Sequence, residues 1–180
     1  MERALAETEL TKTVIVAIDG VCGGGKSTLG EALAAKYACR LFHMDDFFLQ
    51  REQRTKERYE QAGGNVDYER FKEEVLAHLS DKDGLFYRPF RCHTMTFGDA
   101  VRMPWCRLNI IEGAYSCHPY FGDVYQARFF VEASPEVQKE RLLARNGKEQ
   151  YERFVREWIP MENRYFDAFA IRRQCISISL

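Results

Sequence analysis

The chain has 180 residues, of which 46% are hydrophobic and 29% charged, and 26 basic against 27 acidic residues leave a formal net charge of -1. This length and composition point to a soluble globular chain with one sizeable core and room for an inserted segment. The charge balance gives no bulk electrostatic reason to bind nucleic acid or a membrane surface, and no apolar run approaches the roughly 20 residues of a membrane span.

The opening stretch MERALAETELTK lacks the apolar stretch of a secretory signal and reads as a short amphipathic helix or a frayed end. TVIVAID, residues 13–19, is a β-branched run that predicts a buried parallel strand. KSTLGEALAAKYA follows with apolar residues at helical spacing. RLFHMD, residues 40–45, predicts the second strand. Residues from about 47 to 106 break the alternation and read as an insertion over one end of the sheet. They include a turn at Gly63–Gly64, a helix after it, and a hairpin-like stretch, GLFYRPFRCHTMTFGDAVRMP.

RLNIIEG (107–113), ARFFVEA (127–133) and CISISL (175–180) complete the predicted strands. Ser134 and Pro135 form a helix start, as N-cap and first helical residue. That helix should stop near Asn146–Gly147, and the helical stretch after it should kink or break at Pro160. Strands alternating with helices predict an α/β fold, a five-stranded parallel sheet flanked by helices. The expected organisation is a single domain over 1–180, with an insertion at about 47–106. Six cysteines occur without a CxxC pair, which argues against a thiolate zinc site and for reduced thiols in a cytoplasm.

The glycine-rich turn carries the chemistry. GVCGGGKST fits G-x-x-x-x-G-K-[ST] from Gly20 to Ser27, after a strand and opening a helix, which is the context this motif needs. Gly20, Gly23, Gly24 and Gly25 let backbone N–H groups wrap a phosphate chain at a helix N-terminus. Lys26 should reach the β- and γ-phosphates of ATP, Ser27 should hold Mg²⁺, and Thr28 makes a less direct contact. There is no N-K-x-D stretch of the kind that reads guanine in GTPases.

Open parallel sheets bind ligands at the carboxyl ends of their strands. Asp45, at the end of the second strand, is placed to orient and deprotonate an acceptor hydroxyl. Glu112, at the end of the third, is placed to hold Mg²⁺ or its water. Asp46 reads as a cap or as a partner for an arginine, and Phe48 as a wall of the acceptor pocket. Arg141 and Arg145 lie one helical turn apart and could neutralise the transferring phosphate from one helix face.

The ordered set GVCGGGKST, MDDFF, IIEGAYS and an arginine-bearing helix resembles the uridine kinase-like family of P-loop small-molecule kinases, near uridine kinase and nicotinamide riboside kinase. The resemblance implies the P-loop NTPase fold, an acceptor-binding role for the insertion at about 47–106 and a short lid at about 141–160; it implies that Asp45 is the acceptor base, Glu112 the third-strand acid, and Arg141 and Arg145 the lid arginines, with ATP and Mg²⁺ bound. It also implies a ribose contact at Asp67 and base-side contacts at Phe90 and His93. The match is incomplete: Tyr68-Glu69 stands where the family has His-Pro, Arg88 replaces a tyrosine, and the lid is short.

The expected function is therefore transfer of the ATP γ-phosphoryl group to a hydroxyl of a small metabolite, a nucleoside or related riboside. An alternative is an anionic acceptor, such as a sugar phosphate, held by Arg54 and Arg58, because guanidinium groups bind carboxylate and phosphate in bidentate fashion. A third reading is a non-catalytic nucleotide-binding module. The expected partner is the small-molecule acceptor, with no nucleic acid or membrane. Homo-oligomerisation is left open.

Overall fold

The computed structural model describes residues 1–9 and 11–180. A short helix, α1 (Glu2–Glu7), occupies the N-terminal stretch, and Leu10, part of the same expectation, lies outside the described residues. Strand β1 (Val14–Gly20) leads through the glycine loop into α2 (Lys26–Tyr37). Strand β2 covers Arg40–His43 only. The predicted strand ran two residues further, but Met44–Phe47 form a 3₁₀ turn. Met44 and Phe47 are fully buried, so this turn is fixed by its apolar residues and leaves Asp45 exposed.

The segment before the third sheet strand holds α3 (Lys56–Glu60), α4 (Tyr68–Glu74) and four short strands. Strands β3 (Leu85–Tyr87), β4 (Phe90–Arg91), β5 (Thr96–Phe97) and β6 (Val101–Met103) form two nested antiparallel pairs, β4–β5 inside β3–β6. The hairpin expectation thus resolves into an outer and an inner ladder. Strands β7 (Leu108–Glu112) and β8 (Ala127–Glu132) follow. Helix α5 (Pro135–Arg153) opens with the Ser134 hydroxyl accepting the Val137 N–H, and Gly147 breaks its helical dihedrals at φ 76°. A π-turn over Phe154–Trp158 leads into α6 (Ile159–Ala168), which has Pro160 in its first turn, where no N–H is needed. Helix α7 (Ile171–Gln174) and strand β9 (Ile176–Ser179) close the described chain.

The main sheet runs β2-β7-β1-β8-β9, all parallel. Its two faces follow from strand alternation. Ile18, Ile110 and Val131 pack under Leu29 and Leu33 of α2. Ala17, Phe42, Ile111 and Phe130 face the other way, into the largest cluster. That cluster includes Phe71 and Val75 from α4, Leu85 and Tyr87 from β3, and Tyr165 and Phe166 from α6. Residues of the inserted segment therefore share a core with the sheet, which fixes the 3₁₀ turn and the wall beside it.

Candidate functional site

A cavity of about 990 Å³ opens at the carboxyl ends of the strands. It is lined by Gly23, Gly25, Lys26, Ser27 and Thr28 of the loop, by Asp45 and Phe48 after β2, and by Glu112 at the end of β7. Arg141 and Arg145 line it from α5, and Arg54 and His93 from the inserted segment. The topology brings these residues together because β2, β7 and β1 are adjacent and parallel, so their carboxyl ends share one edge.

The loop is held before any ligand binds. Gly25 has φ +101°, a left-handed conformation that favours glycine at the entry to α2. Lys26 Nζ donates to the carbonyls of Gly20 and Val21 at 2.9 Å each. Arg141 Nη1 donates to the Gly24 carbonyl at 2.9 Å, and its Nη2 to the Leu180 carbonyl at 3.2 Å. Arg141 therefore braces the loop as well as facing the cavity. Arg145 is exposed, with its Nε donating to Asn146 Oδ1 at 2.8 Å. Gly20 and Gly24 do not line the cavity and take part through their carbonyls instead.

Asp45 opens to the cavity from the turn after β2. The surrounding walls push its pKa above the usual carboxylate value. Lys26 and Arg145 pull it down and Glu112 pushes it up. Asp46, its neighbour, turns away: Tyr87 Oη donates to its Oδ2 at 2.9 Å, and Arg70 Nη2 to its carbonyl at 2.8 Å. Of the two adjacent acids, one faces the cavity and the other ties the turn to the inserted segment.

Glu112 is buried, and its Oε1 meets His43 Nδ1 while its Oε2 is a buried oxygen without a partner. Its side chain lies against Gly30, where a Cβ would come within 3.2 Å of the Glu112 Cγ. Gly30 sits one helical turn after Ser27, so the unsatisfied oxygen and the Ser27 hydroxyl flank the same stretch of α2. Among the described residues, no three His, Cys, Asp or Glu side chains group closely enough to cage a metal. A hydroxyl and one carboxylate suit Mg²⁺, which keeps most of its waters and takes further oxygens from substrate phosphates. The residues present fit such an ion.

Besides Gly20 and Gly24, three residues expected at the site lie outside the cavity lining. Asp67 is buried as the N-cap of α4, accepting the Arg70 N–H at 3.0 Å and a Gln53 Nε2 hydrogen bond at 2.9 Å. Phe90 is buried edge-on against Phe97. Arg58 is consumed by Glu69, with two hydrogen bonds of 2.6 Å, by the carbonyls of Gly64 and Val66, and by the Tyr68 ring. The sequence reading overlooked Asn65, Tyr115 and Glu162. Asn65 stands two residues before Asp67 in the same Asn-x-Asp stretch and lines the cavity in its place. Tyr115 follows Glu112 closely, but its approach to the cavity depends on the turn at Gly113. Glu162 left no local sign in the sequence.

The comparisons with known proteins bear on the fold. A family model described as shikimate kinase matches residues 22–86, less than half of the chain. No curated protein matches the chain in sequence. Among solved structures, one described as a possible uridine kinase from Bacillus stearothermophilus superposes with a TM-score of 0.70 at 17% identity, covering 99% of this chain and 94% of that one. A candidate fructose transport system kinase from a Silicibacter species gives 0.70 at 22% identity, covering 93% and 90%. D-glycerate 3-kinase from Cryptococcus neoformans gives 0.55 at 14% identity, covering 89% and 82%. At these identities the likeness is one of fold. In its sheet and its phosphate loop the chain shares the fold of these kinases.

Proposed function

We propose that the chain transfers the γ-phosphoryl group of ATP to a hydroxyl of a small metabolite. One observation carries this reading: Lys26, Ser27, Glu112 and Asp45, from three different elements, line a single cavity of about 990 Å³. That volume takes a nucleotide tail and a small acceptor side by side.

In this reading the loop N–H groups and Lys26 receive the β- and γ-phosphates, while Arg145 offsets charge on the transferring group. Ser27 and Glu112 would hold Mg²⁺, which would supply positive charge against the phosphates. Asp45 orients the acceptor hydroxyl and takes its proton as the new P–O bond forms. The bond between the γ-phosphorus and the bridging oxygen breaks, and ADP carries that oxygen away. The raised pKa of Asp45 makes it a better base than a free aspartate. The residues near 47–106 serve as the acceptor side and those near 141–160 as a lid, in a cytoplasmic protein acting as a single domain.

The sequence resemblance supports a nucleoside or related riboside as acceptor. A specific observation favours the second reading, an anionic metabolite: Asp67 and Phe90 do not line the cavity, whereas Arg54 does. The test is a coupled ADP-release assay with Mg-ATP against uridine, cytidine, nicotinamide riboside, pantothenate and pentose phosphates, with Asp45→Asn as control. An acceptor-dependent rate that disappears in the control supports the kinase reading. Equal rates in both proteins would remove Asp45 from the chemistry.

A further inference from the structure

We infer that the acceptor carries an anionic group, a carboxylate or a phosphomonoester, which docks on Arg54 while its hydroxyl lies at Asp45. This rests on the kinase reading of the cavity and narrows it to a substrate class.

Three arginines of the inserted segment are at least partly buried, and two of them are already neutralised. Arg58 pairs with Glu69 at 2.6 Å, and Arg70 with Glu74 at 3.0 Å. Arg54 is half-buried in the cavity wall and has no carboxylate partner among the described residues. Its Nε donates to the Leu49 carbonyl at 2.9 Å and its Nη2 to the Cys92 sulfur at 3.3 Å, which fixes the guanidinium by its stem side. Nη1 makes no hydrogen bond among the described residues. A half-buried guanidinium held in place with donors unused is pre-organised to receive an anion.

The acids lining the cavity do not supply that anion. Glu157 is bonded by Arg153 at 2.9 Å and by Arg156 at 3.2 Å. Glu162 accepts the Cys22 N–H, and Glu112 meets His43. Asp45, the acid left open, is the one needed at the hydroxyl. Arg141 and Arg145 stand on α5 beside the phosphate loop, whereas Arg54 comes from the chain that continues past Asp45. Asn65 adds a buried acceptor without a partner, its Oδ1, which suits a hydroxyl of the ligand and not its anionic group.

The spacing limits the ligand. Leu49, whose carbonyl anchors Arg54, is four residues after Asp45, a span of at most roughly 14 Å even fully extended. The 3₁₀ turn over Met44–Phe47 shortens it. The hydroxyl and the anionic group therefore belong to one small molecule.

The experiment compares the wild-type protein with Arg54→Gln and Arg54→Lys, all checked for unchanged melting temperature without ligand. Each is assayed with Mg-ATP against carboxylates (glycerate, pantothenate), pentose phosphates and neutral ribosides. The expected result is turnover of an anionic acceptor, with its KM raised roughly 10- to 100-fold by Arg54→Gln and partly restored by Arg54→Lys. The ATP KM should stay within about twofold. Which anionic arm responds identifies the source of the charge. Turnover of a neutral riboside with no effect of Arg54→Gln would overturn the inference and leave the kinase reading standing. If no acceptor is turned over, the kinase reading fails on this panel, and melting of the ADP-saturated protein still decides the anion site. Stabilisation by glycerate, pantothenate or a pentose phosphate that vanishes in Arg54→Gln supports it, and no such stabilisation overturns it.

Discussion

The Cys22 N–H, inside the phosphate loop, donates to Glu162 Oε2 of α6 at 2.9 Å, across 140 residues of sequence. Glu162 is buried, and burial pushes its pKa up while Lys26 pulls it down. Helix α6 thereby holds the loop in shape. Replacing Glu162 with Leu leaves a buried N–H without a partner, at about 1–3 kcal/mol. A lower melting temperature and a raised ATP KM are expected. Glu162→Gln keeps an acceptor oxygen and should cost less. Equal losses in the two variants, measured by thermal melting and ATP titration, would refute the hydrogen-bond explanation.

Asp45→Asn keeps the shape of the turn but removes the proposed base. Turnover should fall by roughly 10²- to 10⁴-fold. Mg-ATP should still raise the melting temperature, because the loop contacts do not involve this side chain. Single-turnover ADP release beside a thermal shift separates the two effects.

Glu112→Gln tests the metal reading. The buried Oε2 has no protein partner, so a metal ion or its water would be its natural complement. The Mg²⁺ concentration for half-maximal rate should rise about tenfold or more, since even residues one step removed from a metal change affinity by that factor. A Mg²⁺ titration of the rate that is unchanged from wild type would exclude Glu112 from the site.

Gly113→Ala reaches the base indirectly. Gly113 has φ +130°, and a Cβ there would come within 2.8 Å of the Met44 Cβ. Met44 opens the turn that carries Asp45. A destabilisation of about 1–3 kcal/mol is expected from the backbone strain alone. The rate should fall more than ATP affinity, because the displaced turn lies on the acceptor side. Denaturant unfolding and steady-state kinetics on the same variant measure both.

His118 sets a pH limit on stability. It is buried in a stack with Tyr68, ring centroids 4.3 Å apart, and its burial lowers its pKa from 6.5 to about 4. Between those values the unfolded chain binds a proton that the folded chain refuses, so stability falls as pH drops from about 6.5 to about 4. The loss from this group is at most about 3 kcal/mol. Asp19, whose pKa is raised by burial, works the other way: it binds its proton more readily when folded and favours the fold as pH falls. Comparing melting temperatures of wild type and His118→Asn across pH 4–7 isolates the histidine, because asparagine can accept the same Tyr120 N–H. A slope unchanged by the substitution would rule it out.

The phosphate loop was legible because everything it needs is local: a β-branched strand, glycines at fixed spacing, and a helix start within one short stretch. The five sheet strands were legible for the same reason, with errors only at their ends. Asp45 and Glu112 could be placed beside the loop because strands in a parallel sheet deliver their carboxyl ends to one edge. The sequence alone thus determined the fold class and which strand-end acids stand beside the phosphate loop.

Tertiary packing decided the acceptor half. Arg54 and Arg58 stand four residues apart in one charged stretch, and nothing local says that Glu69 takes Arg58 while Arg54 is left facing the cavity. Asn65 and Asp67 share one motif, yet capping of α4 draws Asp67 inward and leaves Asn65 at the wall. His43 reaches Glu112, and Glu162 reaches Cys22, only because β2 pairs with β7 and α6 packs against the loop. An irregular segment has no fixed period to carry its side-chain directions, so the core it packs against sets them.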